Sequence, residues 1–311
     1  MSSTQPGVSD PSSIPVHLKF SPSRLSTEDF CAQKAYYMYF RDLDPGESPF
    51  SEALTRGLII HRMLELMRST GQTPTEVFLT VREEYPRYEA QLLLTVALIY
   101  MQRYVKVYAD DHLKYNFVAV EQRFIIPYTT PRGHQVYLDG RFDAIVENLA
   151  EGGRLEIWDD KTDSRNVWSS DVVALDRQLN GYAVMASLLD YDPTRIVVNQ
   201  IKTSYKSPES VAKQPKENLF ARHSAPVTPK TVAAWTLAIG KRIDQILEAE
   251  YVHKNLGAHC MYCPFRQACQ MELNGLNPEP YLRSFGKRSE ATPGGGNLDL
   301  ILDIEDGVFD D

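Results

Sequence analysis

Disulfide stapling is excluded first, because four cysteines in 311 residues are too few to cross-link a chain of this size. A membrane span is excluded next, since no run approaches the roughly 18 to 20 uncharged apolar residues that one needs. The N-terminus, MSSTQPGVSDPSSIP, has neither the basic start nor the apolar stretch of an export signal. The chain is therefore expected to be soluble and cytoplasmic, with no membrane partner. Wholesale disorder is excluded by 43% hydrophobic and 10% aromatic residues, ample for one large domain or two ordinary ones.

Strong charge is lacking too, once its position is considered. Seven acids and no Lys or Arg follow Ser289, which takes the formal charge from −8 for the whole chain to −1 for residues 1–288. The acidity belongs to a tail, and the body is neutral enough to hold a basic cleft for a polyanion.

Residues 1–16, rich in Ser and Pro, read as a flexible lead-in. Apolar residues at helical spacing predict helices over 51–67 and 88–108, within a helical N-terminal region that includes the aromatic cluster Tyr36, Tyr37, Tyr39 and Phe40. The period then shortens. Alternating, β-branched segments at 117–127, 136–146 and 154–161 predict three strands in a meander, followed by a helix over 170–189 and a strand over 195–203. A long polar loop carrying Pro208, Pro215, Pro226 and Pro229 leads to a helix over 228–250, and Gly294-Gly-Gly296 links to the acidic end. This order predicts an α/β fold with a central mixed sheet flanked by helices, one domain over 17–285, and a flexible acidic tail over 286–311.

Chemistry concentrates in the strands. Asp143 lies in Gly-Arg-Phe-Asp, and Asp159-Asp160-Lys161 closes the next strand, where antiparallel pairing brings consecutive strand ends side by side. Two hard carboxylates suit Mg²⁺ or Mn²⁺, which activates water and clamps a phosphate, while an adjacent Lys holds the water or offsets charge on phosphorus. Spacing alone leaves a second reading open, in which these are solvated residues at a turn and a strand end. Gly57-x3-His61 and Gln178-x3-Tyr182 add an imidazole, an amide and a phenol at helical spacing. Cys260-x2-Cys263-x5-Cys269 crowds three thiols into ten residues, which points to a metal site in a reducing compartment. Zinc, with His259 or His253 in place of Cys31, competes there with an iron-sulfur centre.

In this order, and framed by Cys31 and the three later cysteines, these motifs resemble the iron-sulfur nucleases of the PD-(D/E)XK superfamily. The similarity is to the RecB-like branch typified by the CRISPR-associated family-four exonucleases and the AddB nuclease domain, over roughly residues 20 to 270. The resemblance implies a restriction-endonuclease-like core in which His61, Asp143, Asp159 and the Asp160 carbonyl ligate Mg²⁺ or Mn²⁺. Lys161 becomes the catalytic lysine, with Gln178 and Tyr182 beside it. Cys31, Cys260, Cys263 and Cys269 would hold a [4Fe-4S] cluster joining the N- and C-terminal segments. Asp-x-Lys here stands where many relatives have Glu-x-Lys.

The expected activity is a metal-dependent DNA exonuclease acting on single-stranded ends, in recombination, repair or phage DNA processing. The alternative is a non-catalytic DNA-end-binding scaffold that recruits a helicase or recombinase through its tail. Tyr205, Lys206, Lys213, Lys216 and Arg222 offer a basic loop for a single strand, and Arg24, Lys34, Arg56 and Arg62 flank the N-terminal motifs. The tail mixes acids with Leu, Ile, Val and Phe, which suits a protein partner or a mimic of DNA.

Overall fold

A computed structural model describes residues 14–44, 52–163, 167–287 and 298–301. In chain order the elements begin with β1 (Lys19–Phe20), α1 (Pro22–Phe30), α2 (Ala32–Ala35) and β2 (Leu43–Asp44). Next come α3 (Glu52–Thr70), α4 (Pro74–Glu84), α5 (Tyr88–Val107) and α6 (Asp111–Lys114). The strands β3 (Tyr115–Thr129), β4 (Gln135–Asn148) and β5 (Arg154–Asp163) follow, then α7 (Ser170–Leu175), α8 (Arg177–Leu188) and β6 (Pro193–Lys202). The chain continues through α9 (Pro208–Ala212), β7 (Phe220–Pro226), α10 (Pro229–Leu247), α11 (Arg266–Leu273), α12 (Glu279–Leu282), β8 (Gly286–Lys287) and β9 (Leu298–Ile301).

Two compact units arise from this order: one from 1–48, 123–140 and 233–311, the other from 49–122 and 141–232. In the second unit, β4 and β5 are antiparallel with Ala144 opposite Trp158, β5 and β6 are parallel with Lys161 opposite Gln200, and β6 and β7 are antiparallel. The sheet is therefore mixed. The β4–β5 turn passes through Gly152 and Gly153 at φ 75° and 81°, a conformation that favours glycine. Helices α3, α4 and α5 pack through Ile59, Met63, Leu64, Val77, Leu94 and Tyr100, a core that extends to Ile201 and Phe220 on β6 and β7. Thr73 caps α4 in a reciprocal box with Glu76 behind Pro74.

In the first unit, β1 lies parallel to the start of β4, β2 pairs with β8, and β9 lies parallel to β3. Tyr37, Leu43, Phe265, Ala268 and Leu282 form its buried cluster, so the N- and C-terminal segments share one core.

Two expectations are corrected. The segment expected as a helix over 170–189 is two helices, because Asp176 adopts extended angles and its carboxylate accepts the Leu179 N–H as cap of α8. The polar loop after β6 contains α9 and the edge strand β7, whose terminal Pro226 and half-buried polar run Arg222, His223 and Ser224 hide its alternation. Of the expected tail over 286–311, Gly286–Lys287 is β8 and Leu298–Ile301 is β9, while the remainder, like residues 1–13, lies outside the described residues. No helix among the described residues is long and apolar enough to cross a membrane.

Candidate metal centre

β5 organises the centre. Its period of two puts Asp159 and Lys161 on one face and Asp160 on the other. Lys161 Nζ lies 2.7 Å from Asp159 Oδ2 and donates to Gln178 Oε1 at 3.3 Å. Gln178 Nε2 in turn donates to the Tyr182 hydroxyl at 3.1 Å, one turn further along α8. Lysine, amide and phenol thus form one chain of contacts, and the Tyr182 ring is held edge-on to Phe142.

His61 enters from α3, where Gly57 permits the approach. A Cβ at Gly57 would stand 2.8 Å from Thr162 Oγ1 on β5. The imidazole Nδ1 then lies 3.8 Å from Asp143 Oδ2, and the same oxygen accepts the Asp160 N–H at 2.7 Å.

Glu121 is the residue that sequence reasoning missed. It lies in β3 at φ 50°, in the left-handed region that a β-carbon disfavours. Its carboxylate is 3.0 Å from Arg141 Nε, and ligand atoms of His61, Glu121 and Asp143 all lie within 4.8 Å of one another. Among the described residues this is the one such gathering of three or more His, Cys, Asp or Glu ligands. Asp159 stands outside that trio, but its buried Oδ2 accepts no well-formed hydrogen bond although Lys161 is close. Nothing in the pattern Val-Ala-Val-Glu-Gln marks Glu121, because its direction depends on one backbone angle.

The carboxyl of Asp160 points away from the trio. Arg68 of α3 forks it, with Nη2 2.9 Å from Oδ1 and Nη1 on Oδ2, and Asn199 Nδ2 donates to Oδ1 at 2.7 Å.

Electrostatics separate the carboxylates. Burial raises Asp143 well above the usual range, and the charges of Asp159, Asp160 and Glu121 add to that rise. Burial also raises Asp159, against the pull of Lys161, and lifts Glu121 to about 7. For Asp160 burial acts in the same direction, but the Arg68 guanidinium, His61 and the Asn199 amide together outweigh it and hold the acid below its ordinary value. Desolvation lowers His61, which favours the neutral imidazole a metal ligand must be. Lys161 is raised, since Asp159 and Asp143 outweigh its burial. Crowded carboxylates that resist ionising, a neutral imidazole and an oxygen without a hydrogen bond are a donor set suited to a hard divalent cation.

The cysteines lie in the other unit. All four are free, and together with Phe30, Lys34 and Phe265 they line one cavity of about 640 Å³. Among the described residues their sulfurs are not gathered into a compact ligand set, with or without His253 or His259, and the four cysteines are not arranged as a cluster site.

Several residues expected along a DNA path are otherwise engaged. Arg24 and Arg56 are buried, Arg62 pairs with Glu65 and Glu84, and Arg222 pairs with Asp111 while lying over the Tyr108 and Trp158 rings. Lys206, Lys213 and Lys216 remain exposed.

The sequence profile of the PD-(D/E)XK nuclease superfamily matches residues 19–270. The chain belongs to that superfamily, whose members are typically metal-dependent nucleases acting on DNA. The solved structure of SSO0001 is 14% identical, over 65% of this chain and 82% of its own, with a TM-score of 0.31. No curated protein matches the chain.

Proposed function

We propose that the protein is a metal-dependent DNA exonuclease that hydrolyses phosphodiester bonds from single-stranded ends, serving recombination, repair or phage DNA processing. The observation that carries this reading is the gathering of His61, Glu121 and Asp143 beside the Asp159–Lys161 pair. His61, Glu121, Asp143 and Asp159, with the Asp160 carbonyl, would hold Mg²⁺ or Mn²⁺. When bound, such an ion supplies Lewis acidity toward a phosphoryl oxygen and an acidified water.

The chain's own residues supply the rest. Lys161 keeps its proton, so it acts as a donor that orients the attacking water and offsets charge on the phosphoryl oxygens. Gln178, fixed by Tyr182, accepts from Nζ while Asp159 stands beside it as counter-charge, which leaves Nζ donors for that task. Exposed Lys206, Lys213 and Lys216 would track phosphates of a single strand.

Cys31, Cys260, Cys263 and Cys269 would hold a [4Fe-4S] cluster. Support comes from the cavity that all four cysteines line. Iron and acid-labile sulfide in equal amounts after anaerobic purification would establish it, and stoichiometric zinc would replace it.

The deciding experiment is cleavage of end-labelled single-stranded, duplex and circular DNA with Mg²⁺, Mn²⁺ or EDTA. Linear single strands should be degraded only with metal, circles should be spared, and Asp159→Ala and Lys161→Ala should be inactive while binding DNA within a few-fold of the parent. Near-normal cleavage by either variant would overturn the site.

A further inference from the structure

We infer that Arg68 is a positioning residue for Asp143, acting through Asp160, an inference that rests on reading His61, Glu121 and Asp143 as the metal ligands. Arg68 follows His61 by seven residues on α3, two turns along the same face. Its guanidinium binds both oxygens of Asp160, and Asn199 adds a third donor to that carboxylate. The side chains are 6% and 2% exposed, so neither has a competing water shell. Phe117 and Trp158 lie 5.2 and 6.0 Å from the guanidinium carbon and restrict its placement.

The consequence is transmitted through the backbone. With its carboxylate fixed at three points, Asp160 presents its N–H to Asp143 Oδ2 at 2.7 Å. That oxygen is the one facing His61 Nδ1. One helix thus supplies a ligand directly through His61 and orients a second through Arg68.

A purely stabilising role is the weaker explanation. Buried ion pairs commonly cost as much in desolvation as they return, and apolar replacements often match them. What a bidentate fork adds is direction, and partners behind metal ligands typically change metal affinity on the order of 10- to 100-fold.

Arg68 also borders a cavity of about 480 Å³ lined by Leu64, Met67, Gln72, Tyr104 and Tyr108. Shortening the side chain therefore opens a space that a small cation can enter, which makes chemical rescue possible.

The test compares the full-length parent with Arg68→Ala, measuring Mn²⁺ affinity by titration, cleavage of single-stranded DNA, and exchange of the Asp160 amide proton by NMR. Arg68→Ala should bind Mn²⁺ about 10- to 100-fold more weakly. Its Asp160 amide should exchange faster without metal, and added methylguanidinium, but not urea, should restore part of the affinity. Arg68→Lys should recover less than the guanidinium does, since an ammonium cannot fork a carboxylate. A folded Arg68→Ala with parental Mn²⁺ affinity and parental Asp160 exchange would overturn the inference, as would equal rescue by urea.

If Arg68→Ala does not fold, the uncharged double variant Arg68→Met/Asp160→Asn replaces it, and parental Mn²⁺ affinity there is the overturning result. If the parent itself binds no Mn²⁺, the ligand reading fails separately. Asp160 exchange then decides the inference: faster in Arg68→Ala supports it, and unchanged overturns it.

Discussion

Glu121 shows how much of the centre depends on a single backbone angle. A non-glycine residue in the left-handed region costs of order 1 to 3 kcal/mol, and such costs cluster where function needs them. Here the turned backbone carries a carboxylate to His61 and Asp143. Glu121→Gln should keep the fold and lose metal affinity by about 10-fold or more, read by Mn²⁺ titration. Glu121→Gly should lose that affinity too, yet melt no lower than Glu121→Gln, because glycine relieves the angle. The titration of Glu121 gives a pH prediction of defined sign. Burial raises it to about 7, with Glu65 and Asp160 adding to the rise and Arg141 opposing it. The metal-free protein therefore loses stability as pH rises from the ordinary carboxylate range through 7, where a desolvated charge must form. Metal binding needs that charge, so Mn²⁺ affinity should climb as pH rises toward 7 and flatten above it. Affinity independent of pH between 5.5 and 8 would remove Glu121 from the ligand set.

At the scale of elements, the contact between α3 and β5 decides whether His61 reaches Asp143. Gly57→Ala would place a methyl 2.8 Å from Thr162 Oγ1, too close for either backbone to ignore. We expect a loss of about 1 to 3 kcal/mol in denaturant unfolding, with cleavage reduced because α3 lifts from β5. Thr162→Ala removes the obstructing oxygen, so the double variant should recover most of both losses. Failure of that rescue would mean that Gly57 matters for something other than close approach.

Element boundaries also show what was legible in sequence. The approach of Asp143 to Asp159 and Lys161 was legible because consecutive antiparallel strands run side by side, although all three lie within β4 and β5 rather than at strand ends. Gln178 and Tyr182 followed from the four-residue helical repeat, although the helix carrying them starts at a cap that breaks the apolar pattern. β7 was hidden because an edge strand tolerates proline and because its half-buried middle, Arg222, His223 and Ser224, is polar. Arg68 and Glu121 left no signal, since a buried arginine in an amphipathic helix reads as surface and a left-handed glutamate reads as strand. Arg222 misled in the opposite direction. Its charge belongs to a half-buried pair with Asp111 rather than to a DNA path.

At the scale of the whole molecule, the two chemistries are divided between two units. His61, Glu121, Asp143, Asp159 and Lys161 belong to 49–122 and 141–232, and the four cysteines to the unit that holds both chain ends. A cluster on Cys31 and Cys260 would close a loop of more than two hundred residues. In chain-entropy terms such a closure is worth at most about 5 to 6 kcal/mol, less whatever strain the cluster introduces. The local core supports the same closure, since Tyr37 packs against Phe265 and its hydroxyl donates to Glu272 at 2.7 Å. A cluster there would act on the same pair of segments as this core, and its loss should weaken them before anything else. Cys31→Ser should lower the melting temperature and expose the segments around 31 and 260 to limited proteolysis. Mn²⁺ affinity, whose proposed ligands all belong to the other unit, should stay within a few-fold of the parent. A variant that loses Mn²⁺ binding while its cysteine segments stay protease-resistant would show that the cluster tunes the metal site rather than closing the chain.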